Sequence, residues 1–142
     1  IGRRLVKTPK VYFTDTGTLC YLAGLKDPGH ASSGPMAGAI FETAVLSEVM
    51  KNIVHKGEEP RLYFWRTASG DEVDLVIERE GELIPIEVKL TSTPHPHLAS
   101  GLQKFQQFFG GRAERAYLVH PGEVRLPLGL GITALPLAHL AG

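Results

Sequence analysis

The chain has 142 residues, the size of one compact domain of the usual ~150 residues. It carries 15 Lys and Arg residues against 15 Asp and Glu residues, and the zero net charge argues against a polybasic nucleic-acid binder. The single cysteine, Cys20, excludes an internal disulfide and a zinc-finger cluster, and no apolar run reaches the ~20 residues that span a bilayer. We therefore expect a cytoplasmic globular domain without a membrane partner. Because the sequence opens with Ile1, we expect it to be part of a longer protein.

Residues 1–35 are predicted to be an N-terminal segment that precedes the main domain. Residues 1–10 contain four basic residues and no acid, and residues 10–13 are typical of a short strand. Asp15 can then cap a short helix, which a Gly/Pro/Ser-rich linker follows. The main α/β domain is therefore predicted to span residues 36–142.

The main domain shows helical and alternating apolar patterns in a definite order. The predicted elements are a helix over 36–53, a strand over 61–66, hairpin strands over 72–78 and 83–90, a helix between 96 and 110, and strands over 114–119 and near 132–135. This order, a helix, a three-stranded antiparallel meander, a helix and further strands, predicts an α/β fold with a mixed central sheet flanked by helices.

The hairpin turn sets two acidic residues opposite one another. A two-residue turn at 80–81 pairs Arg79 with Glu82, and the same register places Asp74 across from Glu87. Directly opposed side chains lie roughly 4.5–5.5 Å apart at Cβ, and like charges at that separation destabilise a sheet. The pair therefore predicts a cation between the two carboxylates, unless Asp74 is an ordinary exposed strand residue.

Strand alternation divides the other hairpin side chains between two faces. Glu87 and Lys89 point the same way, so the Lys89 ammonium is expected near the acidic pair; the alternative is a surface salt bridge between these two residues. The opposite, core-facing set of that strand is Ile84, Ile86, Val88 and Leu90. On the partner strand, Asp74, Val76 and Glu78 share one face, opposite Val73, Leu75 and Ile77.

Glu42 is the third candidate carboxylate. On a helical wheel it falls within the apolar arc that includes Phe41, Val45 and Val49. Carboxylates are rarely buried without a partner, so Glu42 is expected to point at the sheet and to meet a cation there. The alternative is a core acid that pairs with Arg66.

Together these residues resemble the PD-(D/E)XK, restriction-endonuclease-like nuclease superfamily: Glu42 on a first helix, then Asp74, then Glu87-Val88-Lys89 on the next strand. Val73 stands where the signature has its proline. Three longer segments are similar to an uncharacterised domain found C-terminal to AAA+-type ATPase modules in many prokaryotic proteins. They are residues 10–25, 38–51 and 62–92.

The resemblance implies a restriction-endonuclease-like fold and a role for each matching residue. Asp74 and Glu87 would bind Mg²⁺ or Mn²⁺, Glu42 would be a further ligand, directly or through water, and the backbone carbonyl of Val88 would complete the shell. Lys89 would activate the attacking water. A helix glutamine recurs on the substrate side in the superfamily, and either Gln103 or Gln106 could fill that place.

The resulting hypothesis is metal-dependent hydrolysis of phosphodiester bonds in DNA. The chain has no phosphate-binding loop of the GxxxxGK[ST] type, so an ATP site is expected in an upstream module and not here. The alternative is a catalytically silent nuclease-like module that binds DNA or protein and regulates its attached ATPase.

Overall fold

The computed structural model describes residues 34–140, which form a six-stranded mixed sheet with one helix on each face. The helices are α1 (Ala37–His55) and α2 (Ser100–Phe109). The strands are β1 (Leu62–Arg66), β2 (Glu72–Arg79), β3 (Glu82–Val88), β4 (Ala116–His120), β5 (Leu126–Gly129) and β6 (Ile132–Pro136). Short 3₁₀ turns span Pro96–Ala99, Gly110–Arg112 and Leu137–Leu140. The strand and helix predicted within residues 10–24 lie outside the described residues.

The strands are arranged in the order β1-β2-β3-β4-β6-β5. The first three form an antiparallel meander, β4 pairs in parallel with both β3 and β6, and β5 is an antiparallel edge strand. Helix α2 lies in the connection between the parallel strands β3 and β4. The α/β class and the mixed sheet predicted from the sequence are therefore confirmed. No helix within residues 34–140 is long and apolar enough to cross a membrane.

The sheet is buried on both faces because each helix supplies an apolar stripe. Leu102 and Phe105 of α2 pack against Trp65, whose ring meets that of Phe105 edge to face at 5.4 Å between centroids. Phe41, Val45 and Val49 of α1 pack against the opposite face of the sheet. In β4, Leu118 enters the core on the α2 side, and the next residue, Val119, enters the core on the α1 side. The central strands thus place adjacent side chains in different apolar layers.

The alternation predicted for β2 is wrong between Val73 and Val76. Tyr63 pairs with Val76 but Trp65 pairs with Val73, so three steps along β2 oppose two steps along β1. This extra residue is a β-bulge, which reverses the side-chain alternation locally. Val73 and Val76 therefore both enter the α2-side core, while Leu75 enters the α1-side core. Alternation alone could not reveal the bulge because it depends on pairing with β1.

Two further expectations need correction. Leu90 does not enter a core: 49% of the residue is exposed, because β3 ends at Val88 and the chain leaves the sheet there. Strand β5 was not predicted, since Pro127 and Gly129 interrupt its apolar pattern. Proline is tolerated on an edge strand, where one row of backbone groups needs no partner, and β5 holds that position.

Candidate functional site

The hairpin of β2 and β3 has the register that the sequence predicts. Its pairs run from Leu75 with Ile86 to Arg79 with Glu82, joined by a two-residue turn. Both turn residues have positive φ, 52° and 83°, as the common two-residue hairpin turn requires. The register brings the start of β2, which carries Asp74, alongside the end of β3.

Asp74 is fixed over the end of β3 by a backbone hydrogen bond. The Val88 N–H donates to its Oδ2 atom at 2.8 Å. Asp74 lies within the bulged stretch of β2, where the chain departs from regular alternation. The bulge therefore sets the direction of the carboxylate, and the hydrogen bond holds it there.

Glu87 is the only acidic residue between 34 and 140 that is buried, with 6% of the residue exposed. Burial raises the pKa of its carboxyl group to about 10, and a hydrogen bond with Asp74 and the negative charge of Asp74 act in the same direction. The charge of Lys89 opposes them. Two carboxyl groups thus meet in a poorly hydrated place, where they require a shared proton or a cation.

Lys89 follows β3 directly and is half-buried. Its backbone N–H donates to the Val119 carbonyl at 3.0 Å, which fixes the chain at this point. Its positive charge lowers the pKa of Glu87, so the ammonium lies within electrostatic reach of the acidic pair. This agrees with the expectation that Lys89 and Glu87 act on the same place.

Glu42 points at the sheet, as its position in the apolar arc of α1 predicts. It lines a cavity of about 10 Å³ together with Asp74, Leu75 and Val88. That volume holds about one water molecule. Arg66, the alternative partner considered for Glu42, is paired with Glu72 at 3.4 Å. The structure therefore brings Glu42, Asp74 and Val88 to one small cavity, with Glu87 and Lys89 next to it.

The two candidate glutamines differ in their surroundings. Gln106 Nε2 donates to the carbonyl of Leu130 at 2.9 Å and to that of Glu114 at 3.4 Å, so it anchors the turn between β5 and β6. Gln103 is half-buried on α2, and its side chain makes no hydrogen bond to any residue between 34 and 140. The structure brings neither glutamine into contact with the acidic pair.

The oxygen-rich side chains suit a hard divalent cation in their chemistry. Mg²⁺ is held by one or two carboxylates and keeps several waters, which matches the pair formed by Asp74 and Glu87. Across the described range 34–140, however, no group of three or more acidic, histidine or cysteine side chains is placed to bind a metal. Asp74 and Glu87 are thus two candidate oxygen ligands, and Glu42 lines the small cavity beside Asp74.

The sequence analysis missed Gly101, in the first turn of α2. A Cβ atom on this residue would lie 2.5 Å from the Glu72 carbonyl oxygen and 3.1 Å from Glu87 Oε2. The absent side chain lets α2 approach the sheet closely and cover Glu87. A glycine costs helical stability, so its place inside a predicted helix was the available signal.

Residues 37–140 match the family described as Domain of unknown function (DUF4143). The chain belongs to this family. An uncharacterised protein of Mycobacterium bovis and one of Mycobacterium tuberculosis are each 35% identical to it over 138 residues. The alignment covers 96% of this chain but 29% of each relative, so the chain spans less than a third of the length of these relatives.

In the DUF4143 domain, Gly101→Ala is expected to destabilise the fold by about 1–3 kcal/mol, because the new methyl group must displace α2 from the backbone carbonyl of Glu72 at the start of β2. Gly38→Ala is the matched control, since Gly38 is also the second residue of its helix and a Cβ there meets nothing within 4 Å. That control should be neutral or stabilising by up to ~1 kcal/mol. Urea denaturation of both variants checks the pair, and equal effects would contradict the close approach.

The raised pKa of Glu87 predicts a dependence of stability on pH. The folded chain keeps the proton up to about pH 10, whereas the unfolded chain loses it near 4.5. The proton therefore contributes fully to the free energy of unfolding below pH 4.5. As the pH rises from there toward about 10, this contribution falls by about 1 kcal/mol per pH unit. Urea denaturation with a chelator present, at about pH 6 and pH 8, should show this loss in the parent and not in Glu87→Gln.

Glu82→Gln is the control for this pH experiment. A hydrogen bond from Arg115 lowers the pKa of Glu82, so its contribution is lost only when the pH falls below the usual glutamate range. The variant should therefore keep the parent's decline between about pH 6 and pH 8. The same decline in Glu87→Gln would show that another group causes it.

Proposed function

We propose that the DUF4143 domain is a metal-dependent nuclease-like domain that hydrolyses phosphodiester bonds in DNA. The observation that carries the proposal is the buried contact of Glu87 with Asp74 where β2 begins and β3 ends. The order of elements, a helix, an antiparallel meander, a helix and a parallel strand, supports a restriction-endonuclease-like fold. Glu42 and Lys89 beside the pair supply the other residue types that this chemistry uses.

The acidic pair supports the proposal of a bound cation, because the free energy needed to bury two adjacent carboxyl groups otherwise has no compensation. A purely structural buried position would be filled at lower free energy by an apolar side chain or a neutral amide. A shared proton satisfies Asp74 and Glu87 only while the pH stays below the raised pKa of Glu87. A divalent ion would neutralise both carboxylates over a wider pH range.

Asp74 and Glu87 would hold the Mg²⁺ or Mn²⁺ ion, with Glu42 and the Val88 carbonyl as further oxygen donors. Such an ion supplies a more acidic bound water and positive charge that stabilises the phosphate as the bond breaks. The Val88 N–H keeps Asp74 oriented, which prepares this carboxylate for binding before any ion arrives.

Lys89 would not bind the metal ion. Its ammonium group would contact the substrate phosphate and the attacking water. An ammonium group is a compact charge with three donors, suited to a phosphate oxygen or to a water that attacks phosphorus. Its half-buried position near Glu87 reduces competition from bulk water. Glu42 faces a space the size of one water, where its carboxylate can accept a proton from that water.

The whole protein is proposed to be larger and to act in the cytoplasm. The chain spans 29% of each mycobacterial relative, which leaves room for further modules in proteins of that length. We propose an upstream ATPase as the partner, on the resemblance to domains that follow AAA+-type modules. The ATPase would then control when the DUF4143 domain meets DNA.

A second candidate function is a silent module that binds DNA or protein without cleavage. It is favoured by the lack of a three-residue metal group within residues 34–140 and by the zero net charge of the chain. Nucleases that bind DNA through its phosphates generally need a basic surface. Metal binding without cleavage would support this second function.

Calorimetric titration of Mn²⁺ into the 142-residue chain should show one site that disappears in Asp74→Asn. Because Glu87 holds a proton at neutral pH, binding should release about one proton, measured as a dependence of the heat on the buffer. Asp71→Asn is the control: this half-buried acid pairs with Lys104 at 2.9 Å, and its replacement should leave Mn²⁺ binding unchanged. Equal binding by Asp74→Asn and the parent would contradict the proposed site.

Lys89→Ala should reduce Mn²⁺-dependent cleavage of DNA by about 10²–10⁴-fold while Mn²⁺ still binds, because the lysine acts on water and phosphate. Lys104→Ala removes an exposed lysine of α2 that pairs with Asp71, and it should retain the parent rate. The assay follows release of fragments from a labelled duplex. Cleavage that survives Lys89→Ala or Asp74→Asn would indicate a contaminating nuclease or a different site.

A further inference from the structure

A cavity of about 320 Å³ lies on the α1 side of the sheet, beyond the small cavity that Glu42 and Asp74 line. The second half of α1, the four central strands and the last 3₁₀ turn enclose it. Along α1, the small cavity is lined as far as Leu46 and the larger one from Val49, about one helical turn later, and the two cavities share no lining residue. The larger cavity is therefore a separate place on the domain.

The cavity has an apolar floor that the strands provide. Its floor residues are Ile77, Ile84, Ile86, Tyr117 and Val119. Its volume falls at the lower end of the ~300–1,000 Å³ range of pockets that hold small molecules. Such a floor favours a ligand with an aromatic or aliphatic body.

The rim of the cavity carries cations that nothing in residues 34–140 neutralises. Lys56, Arg61 and Arg125 line it, and their side chains make no hydrogen bond or ion pair within that range. Two other lining arginines are already paired, Arg79 with Glu58 at 2.7 Å and Arg115 with Glu82 at 2.8 Å. The three unpaired groups, and above all the planar guanidinium forks, suit a carboxylate or phosphate.

We propose that this cavity binds a small amphipathic anion, with its apolar body on the strand floor and its carboxylate or phosphate at Arg61 and Arg125. Acids also line the rim. Glu58 is neutralised by Arg79, and Glu78 accepts a hydrogen bond from the Tyr63 hydroxyl and lies 3.7 Å from Arg112. Among residues 34–140, Glu59 has no ion-pair partner. Unpaired cations therefore outnumber unpaired acids, so the excess charge selects an anion. The site does not depend on the proposed nuclease function.

Fluorescence titration of the 142-residue chain with anilinonaphthalene sulfonate tests this site, because the probe joins an aromatic body to an anionic group. We expect saturable binding of one probe per chain. The double variant Arg61→Gln, Arg125→Gln should weaken it at least tenfold, as loss of charge-assisted hydrogen bonds does. The neutral probe N-phenylnaphthylamine should bind both proteins equally, since it fills the floor without using the guanidinium groups.

Two further variants separate the cavity from general surface binding. Ile77→Trp places a larger side chain on the half-buried floor and should abolish binding of both probes. Arg66→Gln is the control, because Arg66 ends the strand that Arg61 precedes, is paired with Glu72, and does not line the cavity. Absence of saturable binding, unchanged affinity in the double variant, or equal weakening by Arg66→Gln would each overturn the proposal.

Discussion

The buried contact between the Glu87 and Asp74 carboxyl groups sets the character of the candidate site. It forms because α2 covers Glu87 while the hairpin register brings the start of β2 to the end of β3. Neither carboxyl group can move far from the other, since Asp74 is tied to the Val88 N–H and Glu87 is buried. The contact therefore persists whether a proton or a cation neutralises it, and the fold determines only that one of them must.

Two departures from ideal geometry create this contact. The bulge in β2 directs Asp74 toward the cavity that Glu42 lines, although regular alternation would assign it elsewhere. The glycine at position 101 lets the other helix approach from the opposite face and exclude water from Glu87. Each departure weakens regular structure locally, one by interrupting a ladder and one by lowering helix propensity. Such local costs are commonest where a fold serves a function, which is consistent with a role for the acidic pair beyond packing.

Much of the architecture could be predicted from the sequence because the signals were local. The turn at residues 80–81 fixed the hairpin register, and apolar spacing in α1 identified Glu42 as a residue that faces the sheet. The bulge, by contrast, arises from pairing with β1, and strand β5 exists because β6 offers an edge to Pro127 and its neighbours. Those pairings join residues distant in sequence, so no pattern within one segment contains them. Gly101 was missed for the same reason, as its role depends on Glu72 and Glu87 across the interface.

Helix α1 relates the two proposed sites. Its first turns carry Glu42 to the acidic pair, and its second half forms a wall of the larger cavity, which Arg61 and Arg125 also line. In the middle of α1, Val45 and Val49 pack against Leu75 and Ile86 of the sheet, so the helix is held as a rigid body over this stretch. A ligand that shifted the second half of α1 would therefore also shift Glu42 relative to Asp74. Helix α1 is therefore the element that the two places have in common, and the packing of its middle turns joins them.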